Sequence, residues 1–169
     1  MSKTEESGTT HGLDYAVVAT SMGHRCGYVR VPVGHPLHGL SYGDKAPGVC
    51  RADLDDEPIG KRGAIPLMCA ALDGEDERAV ALDILFNVHG SLTFGGSRSD
   101  GEGDWWLGFD CGHAGDRADP ELLTSESYRS IYLGGVVRTL DYVRSECEIL
   151  AKQIVERYPL APEEQEAAQ

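Results

Sequence analysis

Apolar and polar residues alternate most regularly in the middle of the chain. Between Val80 and Val88 every second residue is a large apolar one, and Asp83 and Asn87 lie among the intervening positions. A period of two is typical of a strand with one buried face. The pattern therefore predicts a strand here, with Asp83, Asn87 and His89 on the face opposite the apolar row.

Three other segments show strand-like patterns. Residues Tyr15–Thr20 and Tyr28–Val33 are rich in aromatic and β-branched residues, which favours two more strands. Residues Asp104–Cys111 alternate, which predicts a strand with Trp105, Leu107, Phe109 and Cys111 on one side and Trp106, Gly108 and Asp110 on the other. The glycine-rich segment Gly95–Gly103 is typical of a hairpin connection.

The end of the chain has a helical pattern. Apolar residues recur at spacings of four and three along one stripe, namely at Val136, Leu140, Val143, Cys147, Leu150 and Ile154. This predicts one long C-terminal helix. Asp119-Pro120-Glu121 resembles a helix start, with an Asp cap, Pro at the first position and an acid in the first turn.

Together these elements predict an α+β fold, in which an antiparallel sheet packs against one long C-terminal helix. The length of 169 residues and the 41% hydrophobic content favour one domain with a real core. We place that domain at residues 11–158. The polar residues 1–10 have nothing apolar to anchor them and are expected to form a disordered tail, and residues 159–169 an acidic tail.

Charge and cysteine content restrict the classes of function. The chain has 28 acidic and 15 basic residues, so its formal net charge is −13 and broad binding to duplex nucleic acid is disfavoured. A small phosphate-bearing ligand remains compatible, since a pocket needs few cationic groups. Five cysteines, odd in number and widely spaced, favour a reducing cytoplasm. No apolar run is long enough to span a bilayer, so we expect a soluble, cytoplasmic protein with no membrane contact.

Histidines next to turn residues are the first candidate site. Val88-His89-Gly90, Gly34-His35-Pro36 and Cys111-Gly112-His113 each bring a histidine to a turn. If they converge, the group could supply a general base, a general acid and an orienting carboxylate for hydrolysis of a phosphodiester or similar bond. The candidates are His35, His89, Asp110, His113 and Asp116. The same groups could instead bind a divalent metal that activates water. The structural alternative is that each side chain hydrogen-bonds the backbone of its own turn.

A second constellation has zinc-ligand chemistry. His24, Cys26, Cys111 and His113 make four ligands of acceptable type, although common structural sites separate paired ligands by two to four residues, and here the gap is one. A Cys111 nucleophile paired with a distant histidine is a further alternative.

Aromatic and basic residues are the candidate ligand contacts. Trp105 and Trp106 could stack on a base, although at least one of them should be core, which leaves Trp106 as the candidate, and Arg25, Arg30, Arg98 and Arg138 are candidate anion contacts. The acidic cluster Asp53–Glu57 has no clear periodicity and is interpreted as part of a solvated surface loop.

Several motifs together resemble a family of small proteins found in bacteriophage and prophage genomes. The resemblance runs from about Gly23 to Ile154. It is carried by Gly23-His24-Arg25-Cys26-Gly27-Tyr28-Val29, Val31-Pro32-x-Gly34-His35-Pro36, Val88-His89-Gly90-x-Leu92-Thr93-Phe94, Trp105-Trp106-x-Gly108-Phe109-Asp110-Cys111-x-His113-x-Gly115-Asp116 and Tyr142-Val143-x-x-Glu146-Cys147-Glu148. The chain departs from the pattern at Ser91, where Gly is common, and in a longer segment between Tyr42 and Val80.

The resemblance implies a phage accessory protein that acts in the host cytoplasm, and it implies no particular reaction. Small accessory phage proteins frequently counter host defences, and one physical route is to bind or cleave a nucleotide signal. Three hypotheses follow. The protein is a phosphodiesterase-like hydrolase of a small phosphorylated or nucleotide-like ligand, or a protein that sequesters such a ligand. Alternatively, it is an interaction module that inhibits a host protein, with the His, Cys and Asp groups structural or zinc-binding. The oligomeric state stays open.

Overall fold

The computed structural model describes residues 2–50, 79–98, 103–123 and 135–161. In chain order its elements are β1 (Lys3–Thr10), β2 (Leu13–Ala19), β3 (Arg25–Val31), β4 (Lys45–Cys50), β5 (Ala79–Ala81), α1 (Leu82–Leu85), β6 (Phe94–Gly96), β7 (Trp105–Asp110), β8 (Asp116–Arg117), β9 (Val136–Val137) and α2 (Leu140–Arg157). Five strands form one antiparallel sheet in the order β1-β2-β3-β7-β6. Two small sheets pair β4 with β5, antiparallel, and β8 with β9, parallel.

Helix α2 covers one face of the large sheet, which confirms the predicted α+β arrangement. The helix begins after Thr139, whose hydroxyl accepts a hydrogen bond from the backbone N–H of Tyr142 at 3.2 Å. Its predicted apolar stripe is buried against the sheet from Val143 to Ile154. Val136 is not part of that stripe. It lies in β9 and is 57% exposed, because the helix starts four residues later.

Glycine allows the helix to approach the centre of the sheet. Gly27 lies in β3 beneath α2, and a Cβ added there would stand 2.7 Å from the Cys147 sulfur and would collide with the Phe109 ring. A side chain at this position would therefore push the helix off the sheet. The absence of a side chain at Gly27 fixes the distance between the two layers.

The N-terminal segment is a strand and not the disordered tail that its composition predicted. Strand β1 pairs with β2 along its whole length, from Lys3 opposite Ala19 to Thr10 opposite Leu13. Charged groups replace the missing apolar anchors. The hydroxyl of Tyr15 donates to Glu6 at 2.7 Å. The guanidinium of Arg25, which is 8% exposed, donates to Glu5 from Nε at 2.6 Å.

The strand predicted from Val80 to Val88 is also wrong beyond its first residues. Strand β5 ends at Ala81 and the chain then makes one helical turn, α1. Leu82 and Phe86 are four positions apart and both are fully buried, a spacing that suits a helical turn as well as it suits a strand. The turn is held by the N–H of Leu82, which donates to the carbonyl of Asp44 at 3.0 Å.

The remaining predictions about the fold are resolved only in part. The Asp119 carboxylate accepts from the N–H of Glu121 at 3.0 Å, as a helix cap does, and residues 120–122 form a turn. Any helix beyond residue 123 lies outside the described residues. The acidic cluster Asp53–Glu57 also lies outside them. Leu160 is buried, so the domain extends beyond its predicted end at residue 158. None of the described helices combines the length and apolar character needed to cross a bilayer.

Candidate functional site

Three segments meet beside the first turns of α2, namely the turn at residues 88–91, the loop at residues 111–116 and the segment that contains Arg138. In the turn, the N–H of Ser91 donates to the carbonyl of Val88 at 3.1 Å. Gly90 in this turn has φ +67°, the sign that the third residue of a type II turn requires. The next residue, Ser91, has φ +77°, in the region that favours glycine. The turn directs His89 toward Asp116 in the loop 111–116.

His89 is fixed by three contacts. Its Nε2 lies 2.7 Å from Oδ2 of Asp116, and its Nδ1 lies 3.1 Å from the hydroxyl of Tyr142. Its backbone N–H donates to Oε2 of Glu146 at 3.0 Å. Because Tyr142 and Glu146 both belong to α2, the helix positions the imidazole from one side while Asp116 holds it from the other.

Asp116 is the centre of the cluster. Its Oδ1 accepts from Nε of Arg138 at 2.7 Å, and its Oδ2 accepts from the backbone N–H of His113 at 3.1 Å. Burial raises the pKa of this carboxyl, but the hydrogen bonds from Arg138, His89 and His113 outweigh burial and hold the pKa below its ordinary value. Asp116 is therefore ionised at neutral pH, and the nitrogen of His89 that faces it must be the donor.

The protonation of Tyr142 follows from its surroundings. Burial, and then the nearby charge of Glu146, raise the pKa of the Tyr142 phenol to about 12. The phenol is thus a donor at neutral pH. It has one proton and two polar neighbours, the Glu146 carboxylate, with which it forms a hydrogen bond, and Nδ1 of His89 at 3.1 Å.

His113 completes the group and leaves one nitrogen unused. Its ring lies directly over Gly90, where an added Cβ would collide with it. Its Nδ1 is shielded from solvent, and within the described part of the chain it has no hydrogen-bond partner. The nearest carboxylate oxygens are those of Asp110 at 3.8 Å and Asp116 at 3.9 Å. A buried nitrogen without a partner is uncommon in folded proteins and calls for an explanation.

The structure brings together four of the five predicted catalytic residues. His89, His113 and Asp116 share one cluster, and Asp110 lies at its border. His35 is separate. The N–H of Leu37 donates to its Nδ1 at 3.2 Å, so its Nε2 donates to the carbonyl of Tyr158 at 3.1 Å. Tyr158 follows the last turn of α2, about 24 Å along the helix from Tyr142 at roughly 1.5 Å per residue. His35 therefore ties a loop to the far end of the helix and takes no part in the cluster.

The predicted four-ligand zinc site does not form. Cys26 pairs in register with Asp110, so both side chains are on the sheet face away from α2. Cys111, the next residue along the chain, is on the opposite face and belongs to the buried core. Among the described residues, the group of three or more donor side chains with ligand atoms close together contains neither cysteine. The alternation of side chains along the strands thus places Cys26 and Cys111 on opposite faces of the sheet, so the four residues suggested by the sequence cannot share one ion.

The predicted cysteine nucleophile also has no support. Burial raises the pKa of the Cys111 thiol far above its ordinary value, and the thiol is fully enclosed in the core. A thiol of this kind is not a nucleophile at neutral pH.

The predicted ligand contacts lie away from the cluster or have other partners. Arg30 and Trp106 are register partners on the sheet face opposite α2, where Arg30 lies 3.4 Å from Asp14. Trp106 donates to Asp104 and lies under the guanidinium of Arg98.

Arg25 is occupied by ion pairs. Besides Glu5, it contacts Asp119 at 2.9 Å through Nη1, which also donates to the carbonyl of Arg138 at 3.1 Å. Arg25 therefore supports the backbone beside the cluster instead of binding an anion.

Two site residues were not predicted. Tyr142 and Glu146 lie on the buried side of α2, and Glu146 is fully buried. The sequence did carry a signal for Glu146, because it lies three residues after Val143 and four before Leu150, within the apolar stripe. A charged residue inside such a stripe needs a buried partner, which here is the backbone of His89.

Comparison of the chain with protein-family models, curated proteins and solved structures gave no match.

Proposed function

We propose that the protein binds a small phosphorylated, nucleotide-like ligand at the cluster of His89, His113 and Asp116 and hydrolyses it. The observation that carries the proposal is the convergence of three ionisable side chains from two separate segments, with their ligand atoms within 4.8 Å of one another. One is an ionised carboxylate, and another has an unused nitrogen shielded from solvent. Such a concentration of acid–base groups is typical of sites that move protons.

The roles of the side chains follow from their contacts. The imidazole of His113, whose side chain is 32% exposed, is the group able to accept a proton from an attacking water, since Asp116 and Tyr142 already engage both nitrogens of His89. Attack of that water on phosphorus breaks the phosphoester bond, and the leaving oxygen takes a proton from solvent.

Arg138 supplies the positive charge that a phosphate needs in a strongly acidic protein. It uses Nε for Asp116, and its Nη atoms have no hydrogen-bond partner among the described residues. The guanidinium also lies 4.9 Å from the centre of the Tyr142 ring. Two donors next to the proton-accepting nitrogen suit a phosphate oxygen.

A turnover assay tests the proposal. Cyclic dinucleotides, cyclic mononucleotides and nucleoside polyphosphates are incubated with the protein, and products are identified by liquid chromatography and mass spectrometry. We expect a product with the wild-type protein and none with His113→Ala, whereas His38→Ala, a histidine outside the cluster, retains turnover. Intact ligand recovered after denaturation would show sequestration instead. Equal turnover by His113→Ala would place the chemistry elsewhere.

A second candidate function is supported by the saturation of Asp116. Its two oxygens already bind Arg138, His89 and the backbone of His113, which join three segments as a purely structural contact would. In that case the protein is an interaction module that inhibits a host protein through its acidic surface. Loss of partner capture on neutralising Asp53–Glu57, with His113→Ala unaffected, would support it.

The setting of either function is part of the proposal. The motif resemblance points to a phage accessory protein in the host cytoplasm, where hydrolysis or removal of a nucleotide signal would counteract host defence.

A further inference from the structure

We infer that His89, His113 and Asp116 bind one divalent transition-metal ion through Nε2, Nδ1 and Oδ2. The site stands on the geometry of the three side chains, and only its use in hydrolysis rests on the proposed function. The three ligand atoms all lie within 4.8 Å of one another. Two imidazoles and one carboxylate leave further coordination positions for water and for a ligand, as catalytic metal sites do.

The spacing of the ligand atoms is close to what an ion requires. Metal–ligand bonds of about 2.0–2.2 Å in a tetrahedral arrangement place neighbouring ligand atoms about 3.3 Å apart. Here Oδ2 of Asp116 lies 2.7 Å from the nitrogen of His89 and 3.9 Å from that of His113. The first pair must open and the second must close by less than an ångström. The two imidazole nitrogens, which lie within 4.8 Å of each other, must close by up to about 1.5 Å, which rotations of the side chains supply.

The unused nitrogen of His113 is the second observation that favours a metal. This Nδ1 is shielded from solvent and has no hydrogen-bond partner among the described residues. Gly90 has no side chain, which leaves the space that the imidazole of His113 occupies. An ion between Nδ1 and Asp116 gives the nitrogen a partner. The carboxylate of Asp110, 3.8 Å from Nδ1, adds negative charge beside the site.

The outer contacts are those that orient metal ligands. Histidine ligands usually hydrogen-bond through their second nitrogen, and ligating carboxylates through their second oxygen. His89 meets Tyr142 in this way, and Asp116 meets Arg138. When Nε2 of His89 binds the ion, its proton is displaced and Nδ1 becomes the donor to the Tyr142 oxygen. Tyr142 then donates its own proton to Glu146, with which it already forms a hydrogen bond.

The ligand types select the metal. Imidazole nitrogen favours zinc, iron, cobalt and other transition ions, whereas calcium and magnesium favour sites built from oxygen. We therefore expect zinc or a related ion, and no competition from excess magnesium.

Metal binding is tested without any assay of activity. Tag-free protein is stripped with chelator, loaded with Zn(II), passed through gel filtration and analysed for metal, and Co(II) loading is followed by visible absorption. We expect about one zinc per chain for the wild type and a tetrahedral or five-coordinate Co(II) spectrum. His113→Ala should lose both, while Tyr142→Phe should bind zinc about 10–100 times more weakly. His113 is the preferred position because its side chain is 32% exposed, so its removal leaves the fold intact by circular dichroism.

Matched controls distinguish this site from the four-ligand zinc site that the sequence suggested and the structure does not form. His24→Ala and Cys26→Ser should retain zinc, and loss of zinc in these variants with retention in His113→Ala would overturn the inference. A wild-type protein that takes up no zinc or cobalt would also overturn it. Zinc binding without turnover would refute the proposed hydrolysis and leave the metal site standing. Turnover that persists after removal of all metal would refute a role of the ion in hydrolysis, and the metal site would then be decided by the zinc content alone.

Discussion

Replacing Arg25 with methionine should destabilise the fold strongly, because this side chain joins three separate parts of the chain. Its Nε contacts Glu5 in β1 at 2.6 Å and its Nη1 contacts Asp119 at 2.9 Å. Nη1 also donates to the carbonyl of Arg138, next to the candidate site. Methionine fills a similar volume and removes all of these contacts, so the variant leaves two carboxylates without their cation.

The magnitude follows from the burial of the three groups. Removing one member of a buried ion pair costs about 3–5 kcal/mol, because the remaining charge is left uncompensated. The side chains of Glu5 and Asp119 are 18% and 15% exposed, so water can solvate part of the charge that each carboxylate would be left with. We therefore expect the lower end, about 3 kcal/mol. For a protein of this size that corresponds to a decrease in Tm of about 6–12 °C.

Urea unfolding followed by tryptophan fluorescence measures the change, and hydrogen exchange locates it. The amide protons of β1 should lose protection first in Arg25→Met. Arg144→Met is the matched control, since Arg144 also pairs with β1, at 3.3 Å from Glu6, and stays 36% exposed. Exposed pairs contribute little, so its midpoint should match that of the wild type. A loss of stability no larger than that of Arg144→Met would refute the reasoning.

Three further predictions concern the core and the tyrosines. Gly27→Ala should lower the urea midpoint of unfolding, because the new methyl group would stand 2.7 Å from the Cys147 sulfur. An unchanged midpoint would show that helix α2 can move away from the sheet without loss of stability. Cys147 should resist alkylation in the native protein, as judged by mass spectrometry, because burial raises its pKa to about 12; labelling before unfolding would contradict this. The hydrogen bond to Glu6 raises the pKa of Tyr15 to about 12, and burial does the same for Tyr28. Unfolded tyrosines lose their protons near pH 10, about two units earlier, so this contribution to stability is complete below that pH and is lost as the pH rises to about 12. Urea midpoints measured across this range should fall, and a rise would contradict the assignment.

The sequence predicted those elements whose pattern or residue types favour one structure. Strand β3 and helix α2 have a buried face that repeats with a single period, whereas β2 has four consecutive buried residues and was predicted from its β-branched and aromatic content. The segment after β5 failed because Leu82 and Phe86 fit both periods, and the choice depended on Asp44, which is far away in sequence. Strand β1 failed because its stability comes from backbone pairing, from the hydrogen bond of Tyr15 to Glu6 and from the ion pair of Arg25 with Glu5, none of which leaves an apolar pattern.

The candidate site was predicted as a set of residue types and not as a geometry. His89, His113 and Asp116 were identified because each lies at or near a turn. His35 satisfied the same criterion, and only the fold shows that it binds the carbonyl of Tyr158. Glu146 was missed because the helical pattern drew attention to its apolar neighbours. A buried charged residue within an apolar stripe is the signal that would have found it.

Strand β1 has a practical consequence for anyone who trims the protein. If residues 1–10 were removed as a tail, β2 would become the outermost strand and its backbone N–H and C=O groups would lose their partners along Leu13–Ala19. That strand reads Leu-Asp-Tyr-Ala-Val-Val-Ala, an apolar template of the kind on which other chains assemble into aggregates. Strand β1, with its lysine, two glutamates, three threonines and serine, is a poor template. These ten residues thus keep the sheet from growing between molecules.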